Sequence, residues 1–192
     1  MKKILLVAAV AALAACNNTT DSAKVESMNK DSSGSGKMDD NMNYPYTSDY
    51  SHNFEIGSSK NAMTILQLFK DWDNNNLDNS KSSFAETDTM YFADGNMFAG
   101  SRDSLFAIAK QMRGQMGTVV DSVHAWVPLK SKDRNEDWVL IWATEIATNA
   151  AGKTTRREIQ ETWRFDKDGK VNLVFQYEQQ PPKMPPPPPA KK

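Results

Sequence analysis

The sequence predicts an α+β fold in which helices cover one face of a curved antiparallel sheet. Two segments place apolar residues at the 3.6-residue spacing of amphipathic helices. Four later segments are extended runs rich in β-branched and aromatic residues. All five tryptophans lie between residues 72 and 163. This part of the chain is therefore expected to hold the hydrophobic core.

The first helix is predicted to begin at Ser59, because serine is a common cap of helix N-termini. Its apolar residues form a wide stripe, and the run Asn74-Asn75-Asn76 ends it. The elements predicted after it are, in order, a short helix (77–83), a strand (83–92), an Asp-Gly turn (93–96), a short strand (97–99), a second long helix (102–116) and four long strands (118–129, 138–148, 154–165 and 171–179). The short loops between the last four strands predict an antiparallel meander.

The first 16 residues combine two lysines, an apolar stretch and small residues ahead of Cys16, the only cysteine. This pattern is typical of a secretory signal, and the apolar stretch is shorter than the roughly 20 residues that a membrane-spanning helix needs. Leu13-Ala14-Ala15-Cys16 resembles the lipobox of bacterial lipoproteins. The resemblance implies cleavage before Cys16, a thioether-linked diacylglyceryl group on its sulfur, and acylation of the new N-terminus, with palmitate as the expected acyl group. The alternative is a free cysteine beside an ordinary signal peptide.

Four regions follow from this pattern. Residues 1–15 are predicted to be a lipoprotein signal peptide and residues 16–58 a lipidated cysteine with a flexible tether, since this segment has few aliphatic residues. Residues 59–180 should form the folded domain, and residues 181–192 a proline-rich tail. We expect the protein to be lipid-anchored in a bacterial cell envelope, with the outer membrane favoured over the inner.

Charge and motif content exclude several classes of function. The chain has 192 residues and a formal net charge of −1 at pH 7, without a cluster of Lys and Arg, so nucleic acid is not an expected partner. The sequence has no Cys/His cluster for zinc, no Gly-rich phosphate loop and no nucleophile elbow. No metal and no cofactor are therefore expected.

The order of elements, together with Phe84-Ala85-Glu86-Thr87-Asp88-Thr89-Met90-Tyr91-Phe92-Ala93-Asp94-Gly95 and a Gly100 before the second long helix, resembles the NTF2-like superfamily. The SnoaL-like proteins are the most similar group within it. The resemblance covers about 59–180 and implies a cone-shaped barrel, with the sheet wrapped around the N-terminal helices and a pocket between them. It also implies a possible homodimer. The fold hosts enzymes and binding proteins alike, so it does not decide function.

Strand faces indicate which side chains could line such a pocket. In 154–165, alternate residues are apolar on the face that carries Arg157 and Glu161, so this face should point inward. In 171–179 the predicted inner face is Val171, Leu173, Phe175 and Tyr177. The strand 138–148 is apolar on both faces, which leaves its inner face open. The ligand-binding residues predicted from these faces are Arg157, Trp163, Trp142 and Tyr177.

The candidate catalytic residues are His124, Glu161 and Tyr91. An imidazole can exchange protons near neutral pH, a carboxylate in an apolar pocket can act as a base, and a phenol can donate to a ligand oxygen. His124 would share a strand face with Ser122 and Trp126. Each candidate also has a structural interpretation: His124 as a half-exposed strand residue, and Glu161 as the ion-pair partner of Arg157. Other carboxylates of this kind are Asp88, Asp94 and Glu145, of which Asp94 is more simply a turn residue.

The resemblance does not carry a mechanism to this chain. Ketosteroid-isomerase-like relatives have a base Asp where Phe92 falls here, and a Tyr on the first helix that this sequence lacks. The sequence therefore favours a membrane-anchored protein that binds a small apolar ligand or a protein partner without catalysis. The alternative is a SnoaL-like isomerase, cyclase or dehydratase acting on a small hydrophobic substrate.

Overall fold

The computed structural model describes residues 42–180. In this part of the chain the helices are α1 (Ser59–Asp73), the 3-10 helix η1 (Leu77–Ser83) and α2 (Arg102–Gln115). The strands are β1 (Phe54–Ile56), β2 (Phe84–Tyr91), β3 (Met97–Ser101), β4 (Thr118–Ser131), β5 (Asp137–Thr148), β6 (Thr154–Phe165) and β7 (Val171–Gln179). The predicted α+β class is confirmed, and so is the predicted order of elements from α1 onward, whereas β1 was not predicted.

Helix α1 forms because a capped N-terminus precedes an amphipathic run. The cap is Ser58 rather than the predicted Ser59, and its Oγ accepts a hydrogen bond of 3.2 Å from the Lys60 N–H. The apolar stripe buries Ala62, Ile65 and Phe69 against the sheet. Burying a side chain such as Ile65 contributes about 1.5–3 kcal/mol. This packing fixes α1 on one face of the sheet, which we call the inner face.

The seven strands form one curved sheet in the order β1-β4-β5-β6-β7-β2-β3. β4, β5, β6 and β7 are the predicted antiparallel meander, but β2 lies parallel to β7. The sheet is thus mixed rather than antiparallel, and it is open rather than a closed barrel, since β1 and β3 are its two edges. Parallel pairing is possible here because β2 and β7 are joined through the rest of the sheet and not by a hairpin.

Two bulges decide which side chains face the helices. In β4 the pairing with β5 shifts between Val123 and Ala125, so His124 is an extra residue. In β7 the pairing with β6 passes from Val171 to Leu173, so Asn172 is extra. An extra residue reverses the alternation of all residues that follow it. The predicted inner face of β7 is therefore wrong after Val171.

The structured part of the chain also begins before residue 59, the predicted start of the domain. Strand β1 pairs with β4, and Tyr50 packs edge-on against Trp138 and Phe175 with ring centroids 5.8 Å apart in both pairs. These contacts cover part of the sheet's outer face, the side that faces away from α1. The segment predicted as tether thus contributes a strand and a covering aromatic ring.

Several predictions concern residues outside the described range of 42–180. These are the signal peptide at 1–15, the lipidated Cys16, the tether up to residue 41 and the proline-rich tail at 181–192. Among the helices of the described part, none has both the length and the apolar character needed to cross a membrane.

Candidate functional site

The inner face of the sheet and the helices enclose a cavity of about 280 Å³. Its wall is mostly apolar and includes six aromatic residues: Phe69, Trp72, Phe84, Phe92, Phe106 and Trp163. Ile108 and Met112 of α2 also line it, and they are 41% and 47% exposed, so the cavity opens to solvent beside this helix. Ligand sites in proteins usually measure about 300–1,000 Å³. The cavity is slightly smaller than this range, so it has room for a small molecule only.

Three adjacent strands each place a carboxyl group on the cavity wall. Asp121 of β4 lies opposite Glu145 of β5 in the strand pairing, and Glu161 projects from the inner face of β6. Glu145 accepts hydrogen bonds from the Arg157 guanidinium at 2.7 and 3.0 Å and from the Trp72 indole N–H at 3.0 Å. Glu161 accepts a bond of 2.7 Å from the Gln176 amide. The cavity thus has a few polar groups in a mainly apolar wall.

Two of these carboxyls titrate near neutral pH. Burial, followed by the charges of Asp73, Glu145 and Glu161, raises the pKa of Asp121 to about 8. Burial also raises the pKa of Glu161 to about 7, although the Gln176 amide favours its charged form. The Asp121 Oδ1 atom is buried and has no hydrogen-bond partner among residues 42–180. An apolar cavity with two such groups can exchange protons with a bound molecule.

The C-terminal end of α1 holds Asp121 in place. Arg113 of α2 is buried and donates hydrogen bonds to the carbonyl oxygens of Trp72, at 2.6 Å, and Asp73, at 2.9 Å. The Asp73 carboxylate in turn accepts a bond of 2.9 Å from the Asp121 backbone N–H. Another carboxylate on the wall, Asp71, accepts bonds from Gln67 and Ser80. These contacts fix Asp121 against the helix.

The structure brings four of the candidate site residues named from sequence to the cavity, one of which is Glu145 of β5. Arg157, Glu161 and Trp163 all line it, on the predicted inner face of β6. Arg157 does not hydrogen-bond to Glu161, however: it pairs with Glu145 and, at 3.4 Å, with Glu178. The expected Arg157–Glu161 pair is wrong, because Glu145 lies directly opposite Arg157 in the β5–β6 pairing.

The other named residues lie on the outer face of the sheet. Trp142 is 39% exposed and Tyr177 is 54% exposed, and both pair with Gln160, on the face opposite Glu161. Tyr91 stacks on Phe175 at 5.0 Å. Tyr177 was expected inward, and the bulge at Asn172 turns it outward. None of these three residues lines the cavity.

His124 also lies on the outer face. Its Nε2 atom is 2.8 Å from the Thr144 hydroxyl and 3.8 Å from the Glu158 carboxylate. The bulge at His124 places Trp126 on the inner side, opposite Ile141, so Trp126 does not share a face with His124 as expected. A role for His124 together with Glu161 would need both side chains on one side of the sheet.

Sequence reasoning missed Asp121. The signal was available: Val119, Asp121 and Val123 alternate on one face of β4, and a carboxylate between two apolar inner-face residues is expensive to bury unless it serves a purpose.

Two other carboxyls considered from sequence have different settings. Asp94 accepts a hydrogen bond from the Asn96 N–H in the turn. Asp88 is buried without a hydrogen-bond partner in the described chain, and burial raises its pKa to about 7 against the charge of Arg102, but it does not line the cavity.

Comparisons with known proteins identify the fold. No family model and no curated protein matches the sequence. An NTF2-like protein of unknown function from Burkholderia pseudomallei has a similar crystal structure, with a TM-score of 0.52, 14% identity and coverage of 64% of this chain and 92% of that one. A SnoaL-like protein of unknown function from Burkholderia thailandensis has a TM-score of 0.50 and 15% identity, over 66% and 100% of the two chains.

An enzyme of known type is similar to the same extent. An LEH-like epoxide hydrolase from M. tuberculosis has a TM-score of 0.52 and 12% identity, and the match covers 64% of this chain and 84% of that one. At such identities the likeness concerns the fold alone. The described chain therefore has the NTF2-like, SnoaL-like fold that the order of its elements predicted.

Proposed function

We propose that this NTF2-like domain binds a small, mainly apolar molecule in the cavity between its sheet and its helices. The observation that carries the proposal is the cavity itself: about 280 Å³ of space under a mainly apolar wall that includes a few polar groups. Sites for small molecules typically combine such a wall with a few placed polar groups. A protein that used the fold only as a scaffold would gain stability by filling this space, since empty volume costs stability.

Filling the cavity tests this proposal. Ala109 lines it from α2, and a tryptophan there should remove the free space. Ala125 is exposed on the outer face, beside Trp142, and supplies a matched control. We expect the neutral dye N-phenyl-1-naphthylamine to bind the purified protein and the Ala125→Trp variant with equal affinity. Ala109→Trp should lose the fluorescence signal while keeping its far-UV circular dichroism. Equal binding by both variants would place the dye elsewhere and contradict the proposal.

We also propose that the chain is a lipoprotein held to the bacterial envelope, with the outer membrane as its site. The support is the lipobox Leu13-Ala14-Ala15-Cys16. Two or more acyl chains anchor a protein stably, whereas one chain binds only marginally. Radiolabelled palmitate should enter the wild-type protein in bacteria and not the Cys16→Ala variant, and the wild type should sediment with outer-membrane fractions. A labelled Cys16→Ala protein would refute the assignment.

Catalysis is the second candidate function, and one observation favours it. Asp121 and Glu161 carry pKa values of about 8 and about 7 on the wall of an apolar cavity, which suits the transfer of a proton to or from a substrate. A SnoaL-like isomerase, cyclase or dehydratase would use these two groups. His124 and Tyr91, on the outer face, would take no part.

Proton exchange at carbon tests the catalytic candidate without knowledge of the substrate. In D2O the protein should exchange the acidic C–H protons of a small apolar ketone, such as 2-tetralone, faster than buffer does. Glu161→Gln and Asp121→Asn should lower this rate at least tenfold, and Glu158→Gln on the outer face should leave it unchanged. No exchange above the buffer rate between pH 5 and pH 9 would rule out this chemistry for such ketones and leave binding as the function.

A further inference from the structure

The polar groups of the cavity are predominantly acidic. Four carboxyl side chains line it, and Arg157 is the one basic residue on its wall among the described residues: the acidic residues are Asp71, Asp121, Glu145 and Glu161. A fifth carboxylate, Asp73, lies behind Asp121 and accepts the hydrogen bond from its backbone N–H. A site built for an acidic or phosphorylated ligand would show the opposite balance.

The positive charges near the cavity are already engaged. The Nε and Nη2 atoms of Arg157 both donate to Glu145 Oε1, and its Nη1 atom is 3.4 Å from Glu178. The buried Arg113 directs its hydrogen bonds to backbone carbonyl oxygens of Trp72, Asp73 and Gly117. Neither guanidinium forms an ion pair with Asp121 or Glu161.

Asp121 and Glu161 therefore form no ion pair within residues 42–180. Glu161 is only 5% exposed and lines the cavity, and its hydrogen bond within the described chain is the one from Gln176 to Oε1. The Oδ1 atom of Asp121 is buried with no partner in the same range. An ionised carboxylate without a partner in an apolar site is strongly unfavourable. A cation supplied from outside would relieve this cost.

The aromatic residues of the wall point to the same chemistry. Trp163 lies two residues from Glu161 on the inner face of β6, and the Trp72 indole N–H donates to Glu145 at 3.0 Å, so indole rings and carboxylates belong to the same cavity wall. The faces of aromatic rings attract cations, most strongly when the site excludes water, and proteins bind quaternary ammonium groups in aromatic cages. Carboxylates beside indole rings are thus suited to an organic ammonium group.

We infer that the preferred ligand of this cavity is an apolar organic cation, with a protonated amine or a quaternary ammonium group held by carboxylates of the wall, Asp121 and Glu161 among them, and its hydrocarbon part against the aromatic residues. The inference rests on the proposed binding function and adds the charge class of the ligand. A bare metal ion fits less well, because within residues 42–180 no three His, Cys, Asp or Glu side chains are placed to hold one.

The electrostatics of the empty site support the inference. The pKa of Asp121 is raised first by burial and then by the charges of Asp73, Glu145 and Glu161, which means that these surroundings oppose its ionisation. A bound cation would lower the pKa of Asp121 and of Glu161 and release protons. The charged groups that face these two carboxyls are, by element, Asp71 and Asp73 of α1, Arg113 of α2, Glu145 of β5, Arg157 of β6 and Glu178 of β7.

A matched set of ligands tests the inference. Naphthalen-1-ylmethanamine, naphthalen-1-ylmethanol and 1-naphthoate share one apolar body and differ in charge, and dodecylamine, dodecanol and dodecanoate repeat the series on a flexible body. By titration calorimetry at pH 8, we expect the amine to bind at least tenfold more tightly than the alcohol, and the carboxylate to bind most weakly. Equal affinities for the amine and the alcohol would contradict the preference for a cation but would still support the proposed binding function. No binding in either series would overturn both.

The pH dependence supplies a second readout. From pH 6 to pH 8.5 Asp121 and Glu161 lose protons, so the affinity for the amine should rise. The affinity for the alcohol should stay level or fall, because the deprotonated carboxylates can no longer donate a hydrogen bond to its oxygen. Amine binding near pH 7 should release protons, measured by comparing buffers of different ionisation enthalpy. Asp121→Asn and Glu161→Gln should each weaken the amine at least fivefold, and Glu158→Gln should not change it. Unchanged amine affinity in Glu161→Gln, with a normal melting curve, would contradict the inference even if Asp121→Asn does not fold.

Discussion

Glu158 and Glu161 lie three residues apart on β6, and the two faces of the sheet give them opposite properties. Glu158, on the outer face, accepts hydrogen bonds from Thr144 at 2.6 Å and Arg156 at 2.9 Å, and these contacts lower its pKa. Burial on the inner face raises the pKa of Glu161 to about 7. The same side chain is thus a satisfied surface anion on one face and a proton-exchanging group on the other. The difference lies in desolvation and partners, and not in residue type.

Two tryptophans, one on each face, differ in burial in the same way, and replacing them should give the largest difference in stability. Trp163 is 7% exposed and packs in the core, 6.2 Å from Phe84 between ring centroids, whereas Trp142 is 39% exposed. Replacing a buried aromatic residue by alanine typically costs about 3–5 kcal/mol. We expect Trp163→Ala to lower the free energy of unfolding by about 4 kcal/mol and Trp142→Ala by about 1 kcal/mol, in urea titrations followed by circular dichroism. Equal losses would mean that the two faces are buried alike, for instance by a partner on the outer face.

The ion pairs on the two faces should show the next largest difference in stability. Glu145 is the main partner of Arg157 on the inner face, with 5% of its side chain exposed, and Glu158 pairs with Arg156 on the outer face. Breaking a buried pair from one side costs about 3–5 kcal/mol, while an exposed pair contributes about 0–1 kcal/mol. We therefore expect Glu145→Ala to lower the free energy of unfolding by about 3 kcal/mol. This is the lower limit of the range, because Arg157 still has Glu178 as an ion-pair partner.

These two variants should be compared at pH 5.5. Asp121 and Glu161 are then protonated, so the loss of the Glu145 charge does not relieve their repulsion and mask the cost. Glu158→Ala should lower the free energy of unfolding, measured by chemical denaturation, by no more than about 1 kcal/mol. An equal destabilisation by Glu158→Ala and Glu145→Ala would contradict the proposed difference in burial between the two faces.

The protonation of Glu161 predicts a pH-dependent stability. Its pKa rises from 4.5 in the unfolded chain to about 7 in the folded state, so its contribution is complete below pH 4.5 and is lost as the pH rises through 7. One pKa unit corresponds to about 1.4 kcal/mol, which gives a loss of about 2 kcal/mol between pH 5 and pH 7. The wild type should lose this amount relative to Glu161→Gln across that range. A parallel pH dependence in the two proteins would show that Glu161 ionises normally when folded.

Sequence reasoning reached the class and the order of elements because both depend on local signals. Helix periodicity, capping serines and Gly- or Asp-containing turns are visible over a few residues. The inner face of β6 was also predicted correctly, since Ile159, Trp163 and Phe165 alternate with polar residues and β6 carries no bulge within 154–164. The placement of Arg157, Glu161 and Trp163 on the cavity wall followed from that alternation.

The errors trace to features that depend on how strands pair with one another. The extra residues His124 and Asn172 reverse the alternation in β4 and β7, and no local signal marks either position as a bulge. The parallel contact between β2 and β7 joins segments about 80 residues apart in the chain. Asp121 was missed although its place between Val119 and Val123 indicated a buried carboxylate, whereas the proximity of Asp73, Glu145 and Glu161 is visible only in the folded sheet.

The smallest expected effect belongs to His124, the residue whose chemistry made it attractive from sequence. Its hydrogen bond to Thr144 is redundant, because the Thr144 hydroxyl also donates to Glu158 at 2.6 Å and accepts from Arg156 at 3.2 Å. The buried hydroxyl therefore stays satisfied when the imidazole is removed. His124→Ala should change the free energy of unfolding by less than about 0.5 kcal/mol, as is usual for surface substitutions, and should leave the affinity for N-phenyl-1-naphthylamine unchanged. Calorimetric melting and dye titration of the same preparation would check both. A loss of dye binding in this variant would connect the outer face to the cavity and remove the separation between the two faces on which the other predictions depend.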